Sequence, residues 1–242
     1  MRESAALKPA DVEAKSSAED IIRCFTESIA NGDHDSTPYP HWVLKNCFPD
    51  DTLRDIQSLP FPAPSLDGVS GKRELHNATR KYFDVENRDR YGSVNAISEA
   101  FQDKRLTDMI EKSFGTDLSG TYLRIEFAQD TDGFWLEPHT DLGVKSFTML
   151  LYLSDEEGHD DLGTDVYDAS KKHVARSPFA PNLAFVFVPG DDTYHGFERR
   201  PIKGVRKSLI INYVTDEWRA REQLAFPCLL YTSDAADERV RV

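Results

Sequence analysis

The chain has 242 residues, 39% of them hydrophobic and 29% charged, and 42 acidic against 29 basic side chains leave a net charge of −13. An acidic surface repels phosphate backbones at long range, which argues against generic nucleic-acid binding, and a mean hydropathy of −0.53 with no run near the ~20 apolar residues of a membrane span argues against a membrane helix. Three cysteines (Cys24, Cys47, Cys228) form no CxxC pair, and the polar stretch Met1 to Ala14 lacks the apolar core of a secretory signal, so a cytoplasmic protein without a disulfide scaffold or zinc knuckle is expected.

A chain of this length buries roughly 70–75% of its extended surface, enough for a core without staples. Residues 1–20 are charged and small and read as frayed. Ser17 is the expected N-cap of a helix carrying Ile21, Ile22, Phe25 and Ile29 at helical spacing. Turn residues from Asn31 to Pro40 precede an apolar strand, His41 to Phe48. Pro49-Asp50-Asp51 opens a second helix with Leu53, Ile56 and Leu59 on one face, which Pro60 to Pro64 ends. After a Gly/Ser turn and the short aromatic segment Lys81-Tyr82-Phe83, a third helix is predicted from Ser93 to Phe114.

From residue 120 the texture changes to short β-branched and aromatic runs between polar turns. Thr121–Phe127, Phe134–Glu137, Ser146–Leu153, Leu183–Val188 and Lys207–Val214 read as strands. Many strands with long connections and no interleaved helices predict an antiparallel barrel or jelly roll, mainly β, with the N-terminal helices as support. One domain is expected over residues 1–227, with a helical flank at about 17–118 and a β core at about 120–214. The end, Cys228 to Val242 (CLLYTSDAADERVRV), resembles translated sequencing-adapter read-through and is expected to be a non-native or disordered tail.

The chemistry concentrates in His139-Thr140-Asp141 and His195. Two histidines and one carboxylate can hold Fe(II) on one face and leave the opposite positions open. His-x-Asp alone is weak, and a second one occurs at His159-Asp160-Asp161. His159 sits in the acidic run DEEGHDD and reads as a solvated loop histidine, whereas His139 lies between two strands that can fix it rigidly. His34, His41, His76 and His173 have no partner pattern and read as surface or satisfied core. His195 follows the apolar strand Leu183 to Val188 and a Pro189-Gly190 turn, opening a further strand. Arg206 and Ser208 alternate onto one face of the last strand, where a guanidinium and a hydroxyl can bind a carboxylate.

This order of HxD, strand, strand–Pro-Gly–His and Arg-x-Ser resembles the 2-oxoglutarate/Fe(II)-dependent dioxygenases, in particular the prolyl-hydroxylase-like branch, over about residues 120–214. The resemblance implies a double-stranded β-helix, a jelly-roll barrel of the cupin-like kind. It implies His139, Asp141 and His195 as metal ligands, and Arg206 with Ser208 as anchors for the distal carboxylate of 2-oxoglutarate. Leu162-Gly163-Thr164-Asp165 loosely resembles the family's Gly-Gly-x-Thr turn, with Leu162 in place of the first glycine and Asp165 in place of the threonine. The implied cofactors are Fe(II), 2-oxoglutarate as co-substrate and O2. The implied reaction hydroxylates an unactivated C–H bond of a small-molecule or amino-acid-type substrate, releasing succinate and CO2. Asp141 favours hydroxylation over halogenation, for which related enzymes carry a small residue there.

Substrate contacts are expected from Arg124, if the polar face of Tyr122, Arg124 and Glu126 lines the barrel, from Trp135 as a roof, and from Arg80 and Tyr82 at the mouth. A solvated outer face with Arg124 paired to Glu126 is the competing arrangement. Two other functions compete: a cupin-like metal enzyme that does not use 2-oxoglutarate, which leaves Arg206-x-Ser208 without a role, and a non-catalytic jelly-roll binding module with structural histidines. The pattern singles out neither a substrate nor an oligomeric state.

Overall fold

A computed structural model describes residues 14–63 and 80–228. Of the stretch read as frayed (1–20), residues 1–13 lie outside the described residues, as do 64–79 with the Gly/Ser turn and His76 and the tail from residue 229; Ala18–Asp20 are not frayed but form the first turn of a capped helix. Ser17 caps α1 (Ala18–Ala30) through a reciprocal box: its hydroxyl accepts from the Asp20 amide at 3.2 Å while the Asp20 carboxylate accepts from the Ser17 amide at 3.1 Å. Ile21 and Phe25 face inward and are fully buried, each worth about 1.5–3 kcal/mol of transfer free energy. Next come β1 (Asp33–Asp35), β2 (His41–Lys45), α2 (Asp50–Gln57), β3 (Lys81–Tyr82) and α3 (Val85–Arg90).

The single helix expected over 93–114 is two, α4 (Gly92–Gln102) and α5 (Lys104–Phe114). Asp103 between them is extended (φ −65°, ψ 131°), and its carboxylate accepts from the Arg105 amide at 2.8 Å. Asp is a poor helix-interior residue and a strong cap, so the apolar periodicity continues through a break.

Eight strands follow: β4 (Tyr122–Asp130), β5 (Leu136–His139), β6 (Lys145–Tyr152), β7 (Asp165–Tyr167), β8 (His173–Arg176), β9 (Leu183–Phe187), β10 (His195–Phe197) and β11 (Arg206–Val214). They form a seven-stranded sheet, β1-β2-β9-β6-β11-β4-β3, and a four-stranded sheet, β5-β10-β7-β8. Every pairing is antiparallel.

Alternation along the large sheet sorts side chains between two cores. Leu123, Ile125 and Phe127 of β4, Phe147, Met149 and Leu151 of β6, and Leu209, Ile211 and Tyr213 of β11 join the helices in one cluster. The intervening face meets the small sheet, where Tyr152, Phe185, Phe187, Val166 and Phe197 form a second cluster. The architecture is mainly β, a jelly roll backed by helices. The face between its two sheets is the one that carries Arg206, Ser208 and the histidines.

Candidate active site

β5 and β10 run antiparallel with His195 opposite His139, and the two imidazole centroids lie 4.5 Å apart. That approach depends on Gly196. A Cβ there would stand 2.9 Å from the Leu136 carbonyl oxygen and 3.1 Å from that of Glu137, both main-chain atoms of β5.

Each ring is oriented by the carbonyl two residues before it. His139 Nδ1 pairs with the Glu137 oxygen at 2.8 Å and His195 Nδ1 with the Thr193 oxygen at 3.0 Å. A carbonyl only accepts, so a neutral ring in this position carries its proton on Nδ1 and its lone pair on Nε2. Burial, with repulsion from His139 behind it, pushes the His195 pKa down to about 3, which keeps that ring neutral.

Asp141 lies just beyond β5 with its side chain wholly buried. Its Oδ1 accepts from Lys145 Nζ at 2.5 Å and its Oδ2 from the Thr148 hydroxyl at 2.6 Å. Thr148 in turn accepts from Asn212 Nδ2 at 2.9 Å. Two imidazoles and a carboxylate, His139 and Asp141 at one strand end and His195 on its cross-strand partner, are residue types that suit Fe(II) and its first-row neighbours.

A cavity of about 50 Å³ opens beside the histidines, and Arg206 and Ser208 line it with them. Arg206 is buried. Its Nε donates to the Leu162 carbonyl at 2.8 Å and its Nη1 to Asp130 Oδ2 at 2.7 Å, and its guanidinium lies 4.8 Å from the Phe197 ring centroid. Among the described residues no hydrogen bond is made by its Nη2, and none by the Ser208 hydroxyl, which is 1% exposed. A buried hydroxyl without a partner costs about 1–3 kcal/mol, so Arg206 and Ser208 together fit the end group of a carboxylate ligand.

The remaining sequence-predicted contacts separate. The polar face of β4 does point between the sheets, and Glu126, Ala128 and Asp130 line the cavity. Arg124 does not. It is buried at the other end, bonded to Glu126 at 2.8 Å and Gln223 at 2.9 Å and held between Tyr82 and Trp218 at 4.8 and 4.7 Å. The expected pairing with Glu126 is there, but the solvated outer face is not. Trp135 is half-buried beside the cavity-lining Phe134 and is not itself in the lining. Arg80 does reach the cavity, ion-paired to Asp130 at 2.9 Å and Glu126 at 3.3 Å.

The run DEEGHDD is exposed as expected except at His159, which is not the expected solvated loop histidine. His159 is 2% exposed, bonded to the Lys203 carbonyl at 2.6 Å and Ser154 Oγ at 3.1 Å. Asp165, expected only as a departure from a turn motif, is a fully buried hub. It accepts from Arg176 Nε, Arg200 Nη1 and the Glu198 amide, each at 2.6 Å. Asp165, His173 and Glu198 bring donor atoms within 4.8 Å of one another. Two guanidiniums already neutralise that carboxylate, so the trio is an ion-pair network of unlike chemistry to the histidine pair.

The sequence reading missed Asp130, Lys145 and Thr148. A usable signal existed for Asp130: continuing the alternation Arg124, Glu126, Ala128 by one step reaches it.

No family model matches the chain, and no curated protein does. Solved structures do match. A prolyl 4-hydroxylase from Phytophthora capsici superposes with a TM-score of 0.58 at 14% identity, over 87% of this chain and 70% of that one. A prolyl-4-hydroxylase from Pseudomonas putida gives 0.52 at 14% identity, over 80% and 98%. An oxidoreductase of the 2OG-Fe(II) oxygenase family from Burkholderia pseudomallei gives 0.50 at 16% identity, over 85% and 95%. The chain thus has the jelly-roll fold of prolyl 4-hydroxylases and 2OG-Fe(II) oxygenases.

Proposed function

We propose that the protein is an Fe(II)- and 2-oxoglutarate-dependent oxygenase that hydroxylates an unactivated C–H bond of a small-molecule or amino-acid-type substrate. One observation carries the reading: a single cavity is lined by a cross-strand histidine pair and by a buried Arg206 and Ser208 with unused donors. His139, Asp141 and His195 would hold the metal, Nε2 of each ring serving as donor. Fe(II), when bound, supplies O2 activation and the two-electron oxidation of the substrate, coupled to conversion of 2-oxoglutarate to succinate and CO2.

The chain's own residues do the rest. The Glu137 and Thr193 carbonyls fix both ring orientations and tautomers. Lys145 and Thr148 hold the Asp141 carboxylate in place. Arg206 and Ser208 receive the distal carboxylate of 2-oxoglutarate, and Phe134, Phe197, Leu150 and Ile210 keep water from the wall.

A second reading, a cupin-like metal enzyme without 2-oxoglutarate, draws support from the pairing of Arg206 Nη1 with Asp130. Anaerobic titration with Fe(II) and then 2-oxoglutarate separates the two. The first reading requires a visible charge-transfer band that His139→Ala abolishes. Bound iron without the band supports the second, and no bound iron refutes both.

A further inference from the structure

Asp130 bridges the two arginines of the cavity. Its Oδ1 lies 2.9 Å from Arg80 Nη1 and its Oδ2 2.7 Å from Arg206 Nη1. All three side chains are nearly buried, at 7%, 3% and 6% exposure for Arg80, Asp130 and Arg206. The bridge is built into the sheet, because Asp130 is the direct cross-strand partner of Arg206 in the β4–β11 ladder. A carboxylate arriving at Arg206 therefore meets an anion already seated on the same guanidinium.

The placement of Arg206 does not rest on Asp130 alone. The Leu162 carbonyl holds Nε, and the rings of Phe197, Tyr152 and Phe179 lie 4.8, 5.6 and 5.6 Å from the guanidinium carbon. Removing the Asp130 charge thus leaves the cation standing where it is. Arg80 acts from the other side by drawing on the same carboxylate.

Building on the co-substrate role proposed for Arg206, we infer that Asp130 is a specificity-determining residue. It is a resident counter-charge that, tempered by Arg80, sets how strongly the site takes the distal carboxylate of a dicarboxylic 2-oxo acid. The two flanks of the bridge then act with opposite sign. Loss of the Asp130 charge strengthens the hold of Arg206 on that carboxylate. Loss of the Arg80 charge leaves Asp130 wholly to Arg206 and weakens it. A 2-oxo acid without a distal carboxylate feels neither change.

Calorimetric titration of the anaerobic Fe(II)-loaded protein with 2-oxoglutarate and, separately, pyruvate tests this on wild type, Asp130→Asn and Arg80→Gln, with Arg206→Gln as the control on the underlying reading. The expected result is a 2-oxoglutarate Kd at least fivefold tighter in Asp130→Asn and at least fivefold weaker in Arg80→Gln, with pyruvate within twofold of wild type in both. Parallel shifts for the two acids would make the bridge structural only and overturn the inference. So would an unchanged or weaker 2-oxoglutarate Kd in Asp130→Asn. An unchanged Kd in Arg206→Gln would overturn the co-substrate role of Arg206 itself, a separate failure. Should Asp130→Asn not fold, the opposite-sign Arg80→Gln arm decides: a 2-oxoglutarate Kd within twofold of wild type, or one that moves with pyruvate, refutes the inference.

Discussion

Gly196→Ala isolates the contact that brings the two histidines together. The added Cβ would sit 2.9 Å from the Leu136 oxygen, 3.1 Å from the Glu137 oxygen and 3.3 Å from the Glu137 carbonyl carbon. All three are backbone atoms of β5, so no side chain can swing aside, and β10 must move away from β5. Overpacking of this kind costs about 1–3 kcal/mol, which in a chain of this size lowers Tm by roughly 2–12 °C. The functional loss is larger in proportion. The shift disturbs the Glu137 carbonyl that orients His139 and the register that sets His195 against it. Misplaced orienting partners weaken metal binding by roughly 10–100-fold. Gly143 is the matched control: it lies between β5 and β6, two residues past Asp141, has no positive φ, and its Cβ would meet nothing within 4 Å. Gly143→Ala should leave Tm and Fe(II) affinity near wild type. Scanning calorimetry and competitive Fe(II) titration read both quantities. A Gly196→Ala protein with wild-type metal affinity, or a Gly143→Ala protein equally impaired, refutes the argument that strand approach sets the site.

His139→Ala should abolish 2-oxoglutarate-dependent succinate release while near-UV circular dichroism stays native; retained turnover removes His139 from the ligand set. Asp141→Ala should do the same but also unfold more readily, because it strips the buried Lys145 of its 2.5 Å ion pair, at about 3–5 kcal/mol for a broken buried pair. Arg206→Ala should raise the apparent KM for 2-oxoglutarate by roughly 30- to 1,000-fold, from the about 2–4 kcal/mol of a buried charge-assisted contact; an unchanged KM removes it from that role. Asp165→Asn should cost about 3–5 kcal/mol in urea unfolding by leaving Arg176 and Arg200 without their shared carboxylate. Burial raises the Asp165 pKa, but the hydrogen bonds from Arg200 and Arg176 outweigh it and hold the carboxyl below its usual 3.8. Its contribution is thus present above pH 3.8 and is lost as pH falls through the lower folded value, so the gap between variant and wild type should narrow there; a pH-independent gap contradicts the ion-pair account.

The parts of the site that were legible are those where strand period and turn chemistry alone dictate geometry. Arg206 and Ser208 share a face because side chains alternate, and a Pro-Gly turn delivers His195 to a strand start. Asp130 escaped because β4 was read as ending at Phe127. The strand runs three residues further because β11 pairs with it residue by residue as far as Arg206 opposite Asp130, a long-range cross-strand constraint that no local apolar pattern records. The strands β7 and β8 were invisible for a related reason. β8 is exposed along most of its length, and an Asp165–Arg176 cross-strand ion pair accompanies the pairing of the two strands, so there is little apolar alternation to read.

His159 shows the same limit from the opposite side. Its neighbours are acidic, which reads as solvated loop, yet the ring is buried against Phe179 and bonded to a carbonyl 44 residues away. Charged residues in this chain are thus of two kinds that local composition does not distinguish. Arg105 and Glu19 meet at the surface with both side chains about 60% exposed, where a pair contributes about 0–1 kcal/mol. Asp130 and Asp141 meet their cations between the sheets, and Asp165 meets its own on the opposite face of the small sheet with its side chain fully buried, where loss of either partner is costly and geometry is held tightly. Each of these three buried aspartates fixes a different cation: Asp130 holds Arg206, Asp141 holds Lys145, and Asp165 ties Arg176 and Arg200 at the seam of the small sheet beside β10. The acidic composition that argued against nucleic acid therefore mixes a solvated surface with the internal charges that position the site.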